Sequence, residues 1–161
     1  MNYVFNDFNE IEMLDDKKGL LCFIEYTINN STLHIVNIEK TSLSHYRYSC
    51  DYHFGTNILN ALLLHLYQKD VMINRITGTL SYFDTVNKNW HNSIPFYADF
   101  SIYLDKRLPY KLRFHLFADS SYTNEVDIPS DWNERNIFIK SFTESHNKAL
   151  ASASFCYDVL L

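Results

Sequence analysis

Glycine and proline are scarce in this chain, three of each in 161 residues, and no Ser/Gly-rich linker, low-complexity tract or internal repeat interrupts it. With no such punctuation to mark a boundary, a single domain over residues 1–161 is expected, long enough to bury a core without staples. No apolar run approaches the ~20 residues of a membrane-spanning helix, which argues against a membrane partner. The start, Met1-Asn2-Tyr3-Val4-Phe5-Asn6-Asp7, lacks the basic and apolar segments of a secretory signal, so a cytoplasmic location is expected. Cys22, Cys50 and Cys156 are odd in number and lack the close spacing of a metal knuckle. Reduced, mostly buried thiols and no metal site are the expectation. Positive charge is in deficit at a formal net charge of -5, and binding nucleic acid in general would need a basic surface. The one basic cluster, Lys106-Arg107 with Lys111 and Arg113, reads as a solvated loop and strand edge ahead of a phosphate or partner site. Gly-x-Ser-x-Gly, His-Glu-x-x-His and Walker patterns are also missing, which leaves hydrolase, zinc-protease and nucleotide-phosphatase chemistry without support.

Aromatic residues are what the chain has in excess, with 12 Phe, 12 Tyr and 2 Trp making 16% of it. Most should be core, although some Tyr residues could line a cleft. Phe5, Phe8, Ile11 and Leu14 recur at helical spacing and predict a short N-terminal helix, or a strand plus helix. Leu20 to Ile28 and Thr32 to Glu39 are β-rich and flank Asn29-Asn30-Ser31, the composition of a hairpin turn. Thr41 to Tyr52 reads as an irregular extension. Further on, Lys111 to Phe117 predicts a strand pairing with residues 100–104 across a loop holding Pro109. Ser130-Asp131-Trp132-Asn133-Glu134 opens a helix through Ile137, Phe138 and Phe142 to Leu150, and Ser154 to Leu161 forms a last strand. The tail, residues 119–161, could cover a groove, form a homodimer surface or finish the core.

The middle of the chain carries the functional signal. After Phe54-Gly55-Thr56-Asn57, apolar residues fall at Ile58, Leu59, Leu62, Leu63, Leu66 and Tyr67, a 3.6-residue period that starts a helix at about Thr56 or Asn57, either of which can cap it. Gly55 admits close backbone approach, and first-turn amides with their partial positive charge suit an anion such as pyrophosphate. A β-rich run follows from Asn74 to Phe83, then a polar segment, then Asn89 to Ile102 with Ser93-Ile94-Pro95-Phe96-Tyr97 inside it.

This order resembles the second half of the GNAT N-acetyltransferase superfamily over roughly residues 19 to 104. The family's helix pattern N-x-x-A/S-x-x-F-Y-x-x-x-G-F is matched at Ser93, Phe96 and Tyr97, with Ser101 and Ile102 in place of Gly-Phe. Its pyrophosphate turn, Gln/Arg-x-x-Gly-x-Gly/Ala, is matched at Gly55, while Cys50 and His53 stand at the other two specified positions. The resemblance implies an α/β (α+β) fold, a central mixed but mostly antiparallel sheet flanked by helices. It implies acetyl-CoA as cosubstrate, bound by Phe54, Gly55, Thr56 and Asn57, with Asn89 and Asn92 close to the pantetheine arm. Their bland alternative is capping of a helix start. It also implies direct transfer of the acetyl group to the primary amine of a small molecule or peptide, with Tyr97 as the acid for the departing thiolate. Taken alone, Phe96 and Tyr97 read as helix packing. For the base, Glu25 and Glu39 on the hairpin are the candidates, with His34, His45 and His53 as alternatives. The rival expectation is a GNAT-like binding or regulatory protein without catalysis.

Overall fold

The computed structural model describes residues 2–6, 9–43, 53–82 and 90–161. One eight-stranded sheet runs through them: β1 (Asn2–Asn6), β2 (Glu10–Leu14), β3 (Leu20–Asn29), β4 (Thr32–Lys40), β5 (Arg75–Leu80), β6 (Lys111–Phe117), β7 (Glu125–Val126) and β8 (Ala153–Leu160). Three helices accompany it among the described residues: α1 (Phe54–Gln68), α2 (Trp90–Phe100) and α3 (Trp132–Ala149). The class is therefore mixed α/β with a mostly antiparallel sheet. None of these helices is long and apolar enough to cross a membrane.

In space the strands run β1-β2-β3-β4-β5-β8-β6-β7, every neighbouring pair antiparallel except β4 and β5. The β3–β4 hairpin forms as its sequence dictates. Its two loop residues, Asn30 and Ser31, both take positive φ, the condition for the type I′ turn whose twist matches that of the flanking strands. A parallel β4–β5 pair needs a crossover, and α1 supplies it, burying Ile58, Leu59, Leu62, Leu63 and Leu66. Tyr67, expected on the same stripe, is 47% exposed. The helix ends without glycine: Val71 N–H donates to Leu66 O and Asp70 N–H to Tyr67 O, with Asp70 left-handed at φ 58°.

Three expectations are corrected. Residues 2–6 and 10–14 are strands, because Ile11 and Met13 are buried while Glu10 and Glu12 face outward, a period of two. Residues 101–103 form a 3-10 turn, and β6 pairs with β8 and β7 instead. Ile137 is 70% exposed, since α3 buries Ile139, Phe142, Thr143 and His146. The tail thereby finishes the core: β8 lies between β5 and β6 and contributes the wholly buried Tyr157.

Candidate functional site

The parallel pair is short. Thr32, Leu33, His34 and Ile35 face Arg75, Ile76, Thr77 and Gly78, and there the ladder stops, although β4 continues to Lys40 and β5 to Leu80. On its other side β4 keeps pairing with β3, but the register slips: Tyr26 faces Ile35 and Glu25 faces Asn37. Val36 is the extra residue of a β-bulge, and a bulged strand bends. The bend falls directly after the last parallel pair, so the carboxyl ends of β4 and β5 part. In open α/β sheets ligands bind in crevices outside the carboxyl ends of parallel strands.

Two glycines meet aromatic rings near this opening. A Cβ on Gly78 would come within 2.3 Å of the Phe155 ring, so this ring lies across the backbone of β5 at its last pair with β4. Tyr97 stacks on Phe155 with ring centroids 3.9 Å apart, and its backbone carbonyl accepts a hydrogen bond from the Tyr157 hydroxyl. Phe96 sets its edge to Tyr97 at 4.9 Å and fills the space beside Gly55, where a Cβ would sit 3.1 Å from the ring. A continuous packed path thus runs from the first turn of α1 through Phe96, Tyr97 and Phe155 to the parting of the strands. The start of α2 is tied to the end of β5 by the Trp90 indole N–H, 3.1 Å from Ser81 O.

The first turn of α1 differs from expectation. The helix begins at Phe54, with His53 as N-cap, so neither Thr56 nor Asn57 caps it; Asn57 N–H donates to His53 O at 3.0 Å. Phe54 is buried, Gly55 and Thr56 are half-buried, and Asn57 is exposed. His53 is left-handed at φ 56° and ψ 49°, a conformation that glycine adopts at no steric cost and that histidine visits more often than most residues. The side of Gly55 where a Cβ would stand is taken by Phe96. Any anion held here meets the amide side of the turn instead, where the N–H groups of Gly55 and Thr56, at first-turn positions, have no intrahelical acceptor.

The remaining candidates are not gathered around Tyr97. Glu25 and Glu39 are exposed, and Asn37, which faces Glu25 on the next strand, donates to Glu39 at 3.3 Å. Both glutamates therefore lie on the face of the sheet opposite Phe155 and Tyr97, although β4 carries Glu39 beyond the parting. His34 lies on that same face, its Nδ1 2.9 Å from Thr77 Oγ1 across the parallel pair. Asn92 is exposed on α2. Asn89, His45 and Cys50 lie outside the described residues, as does most of the expected irregular extension. Cys22 and Cys156 are buried, and burial pushes the Cys22 thiol up to about 11. Arg107 is paired with Asp105 at 2.8 Å, in keeping with the solvated-loop reading. No group of three or more His, Cys, Asp or Glu among the described residues could hold a metal ion.

The sequence reading missed Gly78, Phe155, Tyr157 and the Val36 bulge. The first three become visible only once β8 is placed between β5 and β6. No family model matches the chain, and no curated protein matches it in sequence.

Proposed function

We propose that the chain is a GNAT-type N-acetyltransferase that moves the acetyl group of acetyl-CoA to a primary amine by direct attack. The observation that carries this reading is the parting of β4 and β5 at Ile35 and Gly78, with the first turn of α1 and the Tyr97 ring joined to it by one packed path. The left-handed His53 supports it, because it stands where the family's turn has glycine.

Acetyl-CoA would supply the activated thioester. The amides of Gly55 and Thr56, at the positive end of α1, are suited to its pyrophosphate, and the widened seam to its extended arm. The bulge leaves Val36 outside the ladder, so its N–H is a fitting donor for a developing oxyanion. Tyr97 Oη carries the proton for the departing sulfur, and Glu39, past the parting on the far face, is better placed than Glu25 to take the amine proton through water. A single-domain, cytoplasmic protein fits this activity.

Phe96 against Gly55 favours a second reading, a GNAT-like binding or regulatory protein without catalysis, since the ring removes one side of the family's approach to the phosphates. Titration calorimetry and thermal melting with acetyl-CoA separate the two. The enzyme should show heat of binding and a melting temperature that rises with ligand concentration. No heat and no shift at millimolar acetyl-CoA would sink the enzymatic reading. Thr56→Glu sharpens the test without touching Phe96: an acid in the first turn favours the helix yet repels pyrophosphate, so folding should hold while affinity is lost. If turnover is found, Tyr97→Phe should lower it by a factor on the order of 10² with coenzyme affinity unchanged.

A further inference from the structure

Far from the seam, His115 on β6 lies between two carboxylates. Its Nε2 is 2.8 Å from Asp158 Oδ2 on β8, and its Nδ1 is 2.5 Å from Glu125 Oε1 on β7. β7 has two residues and pairs with β6 only at Leu116–Val126 and Phe117–Glu125, so it is a minimal edge strand. The chain leaving it, residues 127–130, walls a cavity of about 340 Å³ whose other sides include Asp99, Phe114, His115 and Arg135. We propose that His115 is a pH-controlled latch: bridging Glu125 and Asp158 while doubly protonated, it holds the β7 arm against the sheet as one wall of this cavity.

The donor count gives the reason. Imidazolium has two N–H groups and satisfies both carboxylates, whereas neutral imidazole has one, so the other carboxylate loses its donor and the two negative charges face each other through the ring. Every charged neighbour matters to this balance. On β6 itself Arg113 faces Asp158, on β5 Arg75 faces Asp158 and approaches Cys156 of β8, and across the cavity Arg135 of α3 is engaged by Asp99 of α2 at 2.9 Å. Asp127 adds a further acid to the wall. Of these cations Arg75 lies over the Tyr122 ring and Arg135 is paired with Asp99, while Arg113 stands opposite Asp158 and Glu125 has imidazolium as its partner. Burial lowers the proton affinity of His115, but its bonds and charge pairing with Glu125 and Asp158 outweigh that and raise it above the ordinary 6.5. A raised folded value means that the latch is fully closed below pH 6.5 and releases as pH climbs through the folded value.

The test is amide hydrogen exchange of residues 120–130, corrected for the intrinsic pH dependence of exchange and referenced to α1 in the same protein. The expected result is a fall in relative protection of about tenfold or more between pH 6 and pH 9. Glu125→Gln should abolish the fall by keeping the arm closed at pH 9, because its carboxamide can donate to a neutral imidazole nitrogen while the imidazole donates to Asp158. His115→Gln should make protection independent of pH. A flat profile in the unaltered protein, or an undiminished fall in Glu125→Gln, overturns the latch. Should His115→Gln unfold, seen as loss of α1 protection, the Glu125→Gln arm decides alone.

Discussion

The two ends of the β4–β5 seam are built on different principles. At the end where the strands begin, backbone hydrogen bonds do the joining: Asn74 N–H donates to Ser31 O at 2.9 Å and Val159 N–H to Asn74 O at 3.1 Å, stitching β4, β5 and β8 together. A groove of about 450 Å³ lies beside it, lined by Leu66, Tyr67, Met72, Tyr110 and Leu161 among others. At the end where the strands part, hydrogen bonding stops after Ile35 and Gly78, and aromatic rings laid on glycine backbones take over. The first end resists opening because buried backbone groups would lose their partners. At the second, the described residues of β4 and β5 make no ladder pair with each other past Ile35 and Gly78 that opening would have to break. This contrast, more than any single side chain, is why the proposed ligand is assigned to one end only.

The largest effect expected of a single change lies at the joined end. Leu66 is 5% exposed on α1, and Leu66→Ala should cost about 3 kcal/mol through lost burial and the cavity left behind. Denaturant unfolding measures it, and acetyl-CoA affinity of the folded protein should not move. A matching loss of affinity would break the separation between the two ends.

At the parting end, Gly78→Ala should cost about 2 kcal/mol, because the new methyl meets the Phe155 ring and cannot be accommodated without shifting Tyr97 as well. Here affinity should fall together with stability. The double change Gly78→Ala, Phe155→Leu should recover part of the stability, and additive losses from the two single changes would show that ring and glycine are not coupled. Tyr157→Phe comes next, at about 1.5 kcal/mol, since it strips the hydroxyl from the Tyr97 carbonyl at a wholly buried site. A cost near zero would mean that the carbonyl is satisfied elsewhere when α2 relaxes.

How much of this was legible in the sequence divides along the same line. The β3–β4 hairpin, α1, β5, β6, α3 and β8 follow from local composition, periodicity and turn chemistry, because each is a contiguous run bounded by turn residues, whereas α2 was expected only through the family resemblance. The N-terminal hairpin was misread because Phe5, Ile11 and Leu14 happen to fall at helical spacing, even though Glu10-Ile11-Glu12-Met13 carries a clear alternation. Insertion of β8 beside β6 could not be read locally: it pairs residues about 40 positions apart, His115 with Cys156, and displaces the nearer partner that residues 100–104 offered. The site suffered more than the fold. Gly55 was legible as a close approach, but the ring approaching it comes from Phe96, and the role of Gly78 depends on that same long-range pairing.

The smallest expected effect tests the two ends through one helix. α1 is flanked by left-handed His53 at its N-cap and left-handed Asp70 just past its C-cap, with φ 56° and 58°. A left-handed residue with a Cβ is strained by about 1–2 kcal/mol, and glycine relieves that while adding about 0.5–1 kcal/mol of unfolded-chain freedom. His53→Gly and Asp70→Gly should therefore each gain about 0.5 kcal/mol, Asp70→Gly somewhat less because aspartate tolerates this region better. Unfolding curves would not distinguish the two ends, but ligand titrations should. His53→Gly frees space beside the first-turn amides of α1 and should preserve or tighten acetyl-CoA binding, whereas Asp70→Gly, at the joined end, should leave it unchanged. If His53→Gly weakened binding, the imidazole itself would be a ligand contact, and the turn would work through a side chain where the family relies on bare backbone.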